Sequence, residues 1–354
     1  MRPRKLIKRF SFIDVFLWTF RLAVIAIVVV GSIATLAGGR YTGRQWLDFV
    51  EFGLAQGGIY ALIALGYTMV YGVLNMINFA HGEVFMSGAY TAYFIAVPLG
   101  TSGFLARHLL VGLLTILLVA MATSTGVAVL VERVAYRPLR RAPRLVPLIT
   151  AIGASFFLQY TFRGLYGAGI HSYPDIAALS GDWALGSFHI LRTQAIVLLG
   201  AVVMMLLLYA VVMRTKIGKA MRAVAEDRDA AALMGINVDG IILFTFALGG
   251  AMAGAAGVLY ALVFKQVHFF MGFVPGIKAF TSAVLGGIGN IPGAMLGGLF
   301  LGIVESVGPA LFLDGLGIRA PYQLRDVIGF TMLLIMLIFR PQGILGERLA
   351  AKRA

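Results

Sequence analysis

The sequence predicts an all-α polytopic membrane protein of about ten transmembrane helices with both termini cytoplasmic, and three observations carry that prediction. Of 354 residues, 60% are hydrophobic and 12% charged, about half the charge an average soluble domain carries. Ten apolar segments approach or exceed the length needed to cross roughly 30 Å of hydrocarbon. They fall at residues 13–37, 47–74, 84–98, 108–131, 147–166, 193–213, 241–264, 275–289, 293–313 and 326–340. Lys and Arg gather in four clusters, each separated from the next by an even number of segments. The positive-inside rule then places all four on the cytoplasmic side.

The elements follow in order. A basic tail (Arg2, Arg4, Lys5, Lys8, Arg9) precedes the first segment, whose uncharged stretch 22–37 reads either as a retained anchor or as a signal peptide ending near Ala37. A transmembrane domain then runs to 340, followed by a basic tail over 341–354; its start at 45, which leaves 1–44 as an N-terminal extension, is what the family resemblance given below implies. The third and eighth segments are short and are expected to be tilted, broken or incompletely spanning. Between the second and third, residues 75–83 contain no Lys or Arg. There Asn75, Asn78, His81 and Glu83 either brace an interrupted helix or line a polar pathway. Glycines four apart (Gly53 and Gly57, Gly250 and Gly254, Gly293 and Gly297, Gly298 and Gly302) mark faces where helices approach closely.

The fourth segment leads into Arg133, Arg137, Arg140, Arg141 and Arg144, and the sixth into Arg214, Lys216, Lys219, Arg222 and Arg228. The loop 214–239 is alanine-rich with mixed charges, which favours a short helix. Gly235 is placed to end it in a left-handed cap. Small residues on one face and charges on the other suit docking into a partner's groove, or lying on the lipid surface. The eighth and ninth segments form a hairpin around residues 289–293. Lys278 and Glu305 lie at matched depth in it, about 20 Å from the turn at 1.5 Å per residue. An intramembrane charge is expensive unless it faces water or a partner. The two are expected to form an ion pair toward the outer side, or else each to point separately into water. Arg340, Arg348, Lys352 and Arg353 close the chain.

Several chemistries are excluded. With no cysteine there is no disulfide, thiolate metal ligand or thiol nucleophile. Gly218 and Lys219 are followed by Ala220, so no phosphate-binding G-x-x-x-x-G-K-[ST] loop is present. Neither H-E-x-x-H nor G-x-S-x-G occurs. His81, His108, His171, His189 and His268 lack ligand-like spacing, so neither a metal site nor a catalytic site is expected. The net charge of +14 suits cytoplasmic loops of a membrane protein rather than nucleic-acid binding.

Longer motifs carry a resemblance. The runs 57–72 (GGIYALIALGYTMVYG) and 75–83 (NMINFAHGE), together with VERVAYRP at 131–138, AED at 225–227, LMGIN at 233–237 and KAFT at 278–281 through GAM at 293–295, resemble the H-type (LivH-like) permease of branched-chain amino-acid ABC importers. The resemblance covers roughly residues 45–350. It implies a bundle of the vitamin B12-type importer kind in a bacterial inner membrane. It also implies a second, homologous permease, two cytoplasmic ABC ATPases that bind ATP and Mg, and a periplasmic substrate-binding protein. Asp229-Ala230-Ala231 with Gly235 four residues on is similar to the family's E-A-A-x-x-x-G coupling signature, with aspartate in place of glutamate. Arg222, Glu226, Asp227, Asp229, Ala230, Ala231 and Gly235 are then the expected ATPase contacts. Permeases for urea or short amides look alike, and a passive small-solute channel is the alternative from another class.

Overall fold

The structure is a computed structural model and describes residues 12–140, 142–143, 145–185 and 188–346. The basic residues at 1–11, Arg141, Arg144 and the three beyond 346 lie outside these. The helices, in chain order, are α1 (Phe12–Ala37), α2 (Gly43–Leu74), α3 (His81–Thr101), α4 (Phe104–Arg107), α5 (Leu109–Val131), α6 (Leu145–Tyr166), α7 (Arg192–Arg214), α8 (Lys216–Glu226), α9 (Arg228–Leu233), α10 (Val238–Phe264), α11 (Phe273–Gly286), α12 (Ile291–Gly308) and α13 (Arg325–Phe339). Short antiparallel pairings join β1 (His171–Ser172) to β4 (Gln266–Val267), and β2 (Asp182–Leu185) to β3 (Phe188–Leu191). Among the described residues nine helical segments are long and apolar enough to cross a membrane, and α11 is a shorter apolar helix.

α11 has 14 residues, about 21 Å at 1.5 Å per residue, so the eighth segment is short. The third is not. It runs 21 residues from His81, because residues that look like a membrane boundary in the sequence are already helical and buried. Asn75 ends α2 in the left-handed conformation at φ 54°, and the chain turns back into the bundle. His81 arrives against Gly66 and Gly249, two to three helical turns from the nearest ends of α2 and α10. There Gly82 meets Gly272, just ahead of α11: a Cβ on Gly272 would stand 2.3 Å from the Gly82 carbonyl oxygen.

α2 is the axis of the bundle, buried over nearly all of its length from Gly53 to Leu74. Its Gly53–Gly57 face crosses the Gly298–Gly302 face of α12, so the two backbones touch. Gly250 and Gly254 give α10 the same intimacy with Ala128 and Ala120 of α5. Such crossings replace side-chain interlock with backbone contact.

α1 touches the rest of the chain mainly near its end, besides Arg21 over the Phe339 ring of α13. Gly31 packs on the Phe312 backbone, Thr35 Oγ1 donates to the Ala310 carbonyl at 3.3 Å, and Arg40 pairs with Asp314 at 3.0 Å. Most of its large apolar side chains, among them Phe12, Phe16, Leu22, Val30, Ile33 and Leu36, are exposed, as a lipid-facing helix requires.

Candidate functional site

The residues singled out between α2 and α3 separate into two roles. Asn75 supplies the exposed left-handed cap. Asn78 is buried, and its Oδ1 accepts from the Ala80 N–H and the Tyr136 hydroxyl, both at 3.1 Å. It therefore braces the break between the two helices. His81 packs edge-on against Tyr67 at 4.9 Å between ring centroids. Glu83 Oε1 accepts from Gln159 Nε2 at 2.7 Å and Ser155 Oγ at 3.3 Å, both from α6. Replacing Asn78 with Ala strands a buried N–H and deprives Tyr136 of an acceptor, so about 1–3 kcal/mol of stability is expected to be lost. The thermal unfolding midpoint of the detergent-purified chain reads this directly, and an unchanged midpoint would refute the bracing role.

The α11–α12 hairpin brings Lys278 and Glu305 together at its end away from the turn. Lys278 Nζ stands 2.8 Å from Glu305 Oε2, with both side chains buried. Two further groups complete the arrangement. Asp326 of α13 pairs with Lys278 at 2.7 Å. Gln56 and Tyr60 of α2, themselves hydrogen-bonded, each donate to Glu305 Oε2 at 3.1 Å. Gln56 and Tyr60 stand four apart in an otherwise apolar span, which is the signal that sequence reasoning passed over.

At the far end of α7 the loop is not one helix, as expected, but two, α8 and α9. Asp227 adopts an extended conformation and caps α9, its Oδ1 accepting from the N–H groups of Asp229 and Ala230 at 2.9 and 3.0 Å. A capping aspartate that satisfies the next helix's free donors breaks the previous one. Gly235 takes the left-handed position at φ 82°, and the Ile236 N–H returns to the Ala231 carbonyl, a Schellman-type close. Of the seven expected contacts, Glu226, Asp229, Ala230 and Gly235 are exposed and available. Ala231 is buried, Asp227 is engaged in its cap, and the Arg222 guanidinium donates to the Val212 carbonyl.

The large apolar residues of this loop that stand out furthest are Leu233 and Met234, 89% and 83% exposed. Two large apolar residues directly before a helix-ending glycine would have flagged them. Arg228 Nε reaches across to the Val73 carbonyl at the end of α2, 2.8 Å away, and burial pulls its pKa below the usual guanidinium range.

At the opposite end of the molecule, the starts of α2 and α7 enclose a groove of about 900 Å³ with β3 at its rim. Leu47, Val50 and Leu54 line one side and Leu198, Leu199 and Val202 the other, with Arg44, Asp48, Glu51, His189 and Gln194 interspersed. Beside the rim, a hydrogen bond with His189 holds Asp182 below the usual carboxylate range. At its base the helices close up, where a Cβ on Gly58 would stand 2.9 Å from Ala201 Cβ.

A buried axial helix, a polar helix break, an intramembrane charge network and an exposed helical pair joined to the axis define a polytopic transport subunit. The family model and the curated relatives agree. The family model for the branched-chain amino acid transport system permease component matches residues 49–337. The LivH permease of a high-affinity branched-chain amino acid transport system in Salmonella typhimurium is 42% identical over 312 residues, covering 86% of this chain and 97% of its own. The BraD permease of Pseudomonas aeruginosa is 42% identical over 306 residues, with 86% and 96% coverage. A solved chain from a metal-chelate type ABC transporter in an inward-facing conformation aligns over 91% of this chain and 98% of its own, at 16% identity and a TM-score of 0.42. The chain belongs to the branched-chain amino acid transport permease family, as a multi-pass inner-membrane permease component.

Proposed function

We propose that this chain forms the translocation pathway of an ATP-driven importer for branched-chain or related amino acids. The α8–α9 pair serves as its contact with two cytoplasmic ABC ATPases. A second, homologous permease completes the pathway, a periplasmic binding protein delivers the substrate, and ATP and Mg are bound by the ATPases. Both termini and α8–α9 then face the cytoplasm, in keeping with the basic clusters.

One observation carries the reading. Leu233 and Met234 project from a rigidly capped helix whose other anchor, Arg228, holds the end of the axial helix. A partner that grips the exposed pair would pull on α2 through Arg228. ATP-driven closure of the ATPases thus has a mechanical route to the core of the bundle.

The test is a gentle detergent purification of the tagged chain, followed by identification of co-purifying proteins. P-loop ATPases and a second permease are expected. Gly235→Glu forces a side chain into a left-handed conformation and places a carboxylate beside the apolar pair. It is expected to abolish uptake while leaving membrane insertion intact. Normal uptake by a fully inserted Gly235→Glu chain would refute the coupling assignment, and recovery of the chain alone would favour a passive channel.

A further inference from the structure

The α2–α7 groove combines two features that seldom coincide at the surface of a membrane helix bundle. Its walls are aliphatic from both sides, and its volume, about 900 Å³, lies in the range of small-molecule sites. Into this wall α2 also projects charges of both signs. Arg44, Asp48 and Glu51 follow one another at spacings of four and three, so they stack along one face of the helix. No ion pair of 4 Å or less engages any of the three among the described residues. Across the groove α7 offers the neutral amide of Gln194, and β3 offers His189.

We infer that this groove is the entry subsite of the pathway, taking an α-amino acid with an apolar side chain. The inference rests on the function proposed above and names the residues that meet the substrate. The ammonium group faces the carboxylates of Glu51 and Asp48. The carboxylate turns toward the guanidinium of Arg44, one to two turns nearer the rim. The side chain lies against Leu54, Leu198 and Val202, above the floor that Gly58 and Ala201 close. A fatty acid would use the same walls but leave the carboxylates unmatched, whereas a zwitterionic phospholipid shares the ammonium, anion and alkyl chemistry and is told apart by experiment. A small polar amide would use the charges weakly and leave the aliphatic wall in water. Only a ligand with a cation, an anion and an alkyl group satisfies all three features, and charge-assisted contacts of this kind supply the larger part of the selectivity.

The experiment uses the complete importer in its native membrane and a leucine analogue carrying a photoreactive diazirine. Illumination is expected to label peptides spanning 47–54 and 194–202, and excess leucine to suppress that labelling. Glu51→Gln and Arg44→Gln are each expected to lower it about tenfold, the loss of one charge-assisted contact. Leu199→Trp, on the exposed side of the groove, is expected to block it by filling the space without altering any charge. If the wild-type complex takes up leucine while all three variants keep wild-type labelling and uptake, the subsite is wrong and the transport function stands. Labelling by a diazirine phosphatidylethanolamine that leucine does not displace would also overturn it, assigning the groove to lipid. If the complex takes up no amino acid at all, the proposed function fails and the subsite fails with it.

Discussion

Gly302→Val is expected to leave no folded protein. A Cβ at this position would stand 2.3 Å from both Gly57 Cα and Gly57 N, and 2.4 Å from the Gly53 carbonyl oxygen. All three are backbone atoms of the most deeply buried helix in the molecule, so no rotamer change relieves the overlap. The helices would have to separate, and separation would break every contact along the crossing. Overpacking a well-filled interior costs 1–3 kcal/mol for added methylenes. A branched side chain against backbone on a central crossing lies at or beyond the top of that range, about 3 kcal/mol or more. The control is Gly126→Ala on α5, where nothing lies within 4 Å of the added carbon and a small gain in helix propensity is expected. Size-exclusion profiles of fluorescently tagged chains compare the two. A monodisperse Gly302→Val peak with wild-type melting would show that α2 and α12 do not cross as described.

Lys278→Met is expected to be far more damaging than Glu305→Gln, although the two residues form one pair. Removing the lysine leaves Glu305 buried among Gln56 and Tyr60 with no counter-charge, the situation that costs about 3–5 kcal/mol in buried pairs. Removing the glutamate's charge leaves Lys278 with Asp326 at 2.7 Å, and a glutamine still accepts from Gln56 and Tyr60. That loss is expected to stay near 1–3 kcal/mol. The neutral double variant, Lys278→Met with Glu305→Gln, should be more stable than Lys278→Met alone, since the stranded charge is gone. Exchanging the two charges should recover less, because Asp326 would then face a carboxylate at position 278. Thermal midpoints of the wild type, the two single variants and the neutral double variant form a double-mutant cycle, and strict additivity would refute the coupling.

Much of this arrangement is legible along the chain because it follows from periodicity and from pairing at equal depth. The glycine faces of α2 and α12, the short α11 and the approach of Lys278 to Glu305 all depend on spacing within one helix or one hairpin. What escapes is set by contacts between distant parts of the chain. Hydropathy treats Asn78, His81 and Glu83 as the edge of the membrane, because it cannot supply the Ser155 and Gln159 side chains that let Glu83 be buried. Asp326 looks like an interfacial charge until α13 sets it beside Lys278. Arg44, Asp48 and Glu51 likewise resemble the polar start of a helix, and only the packing of α7 alongside turns them into the lining of a groove. The split of α8 from α9 escapes for a local reason: the helix propensity of the alanines runs straight through, and one capping aspartate overrides it.

The meeting of Gly82 with Gly272 has a mechanical consequence. Where side chains interlock, helices can shift only by steps, each side chain leaving one slot before entering another. Here the start of α3 and the approach to α11 touch through bare backbone, so nothing need be lifted out when one slides along the other. Resistance to such motion is concentrated elsewhere, in the buried charges around Lys278 and Glu305, which tie α2, α11, α12 and α13 together. The bundle is thus built as a spine of α2 and α12 pinned by buried charge beside a low-friction bearing, and Arg228 of α9 holds that spine at Val73.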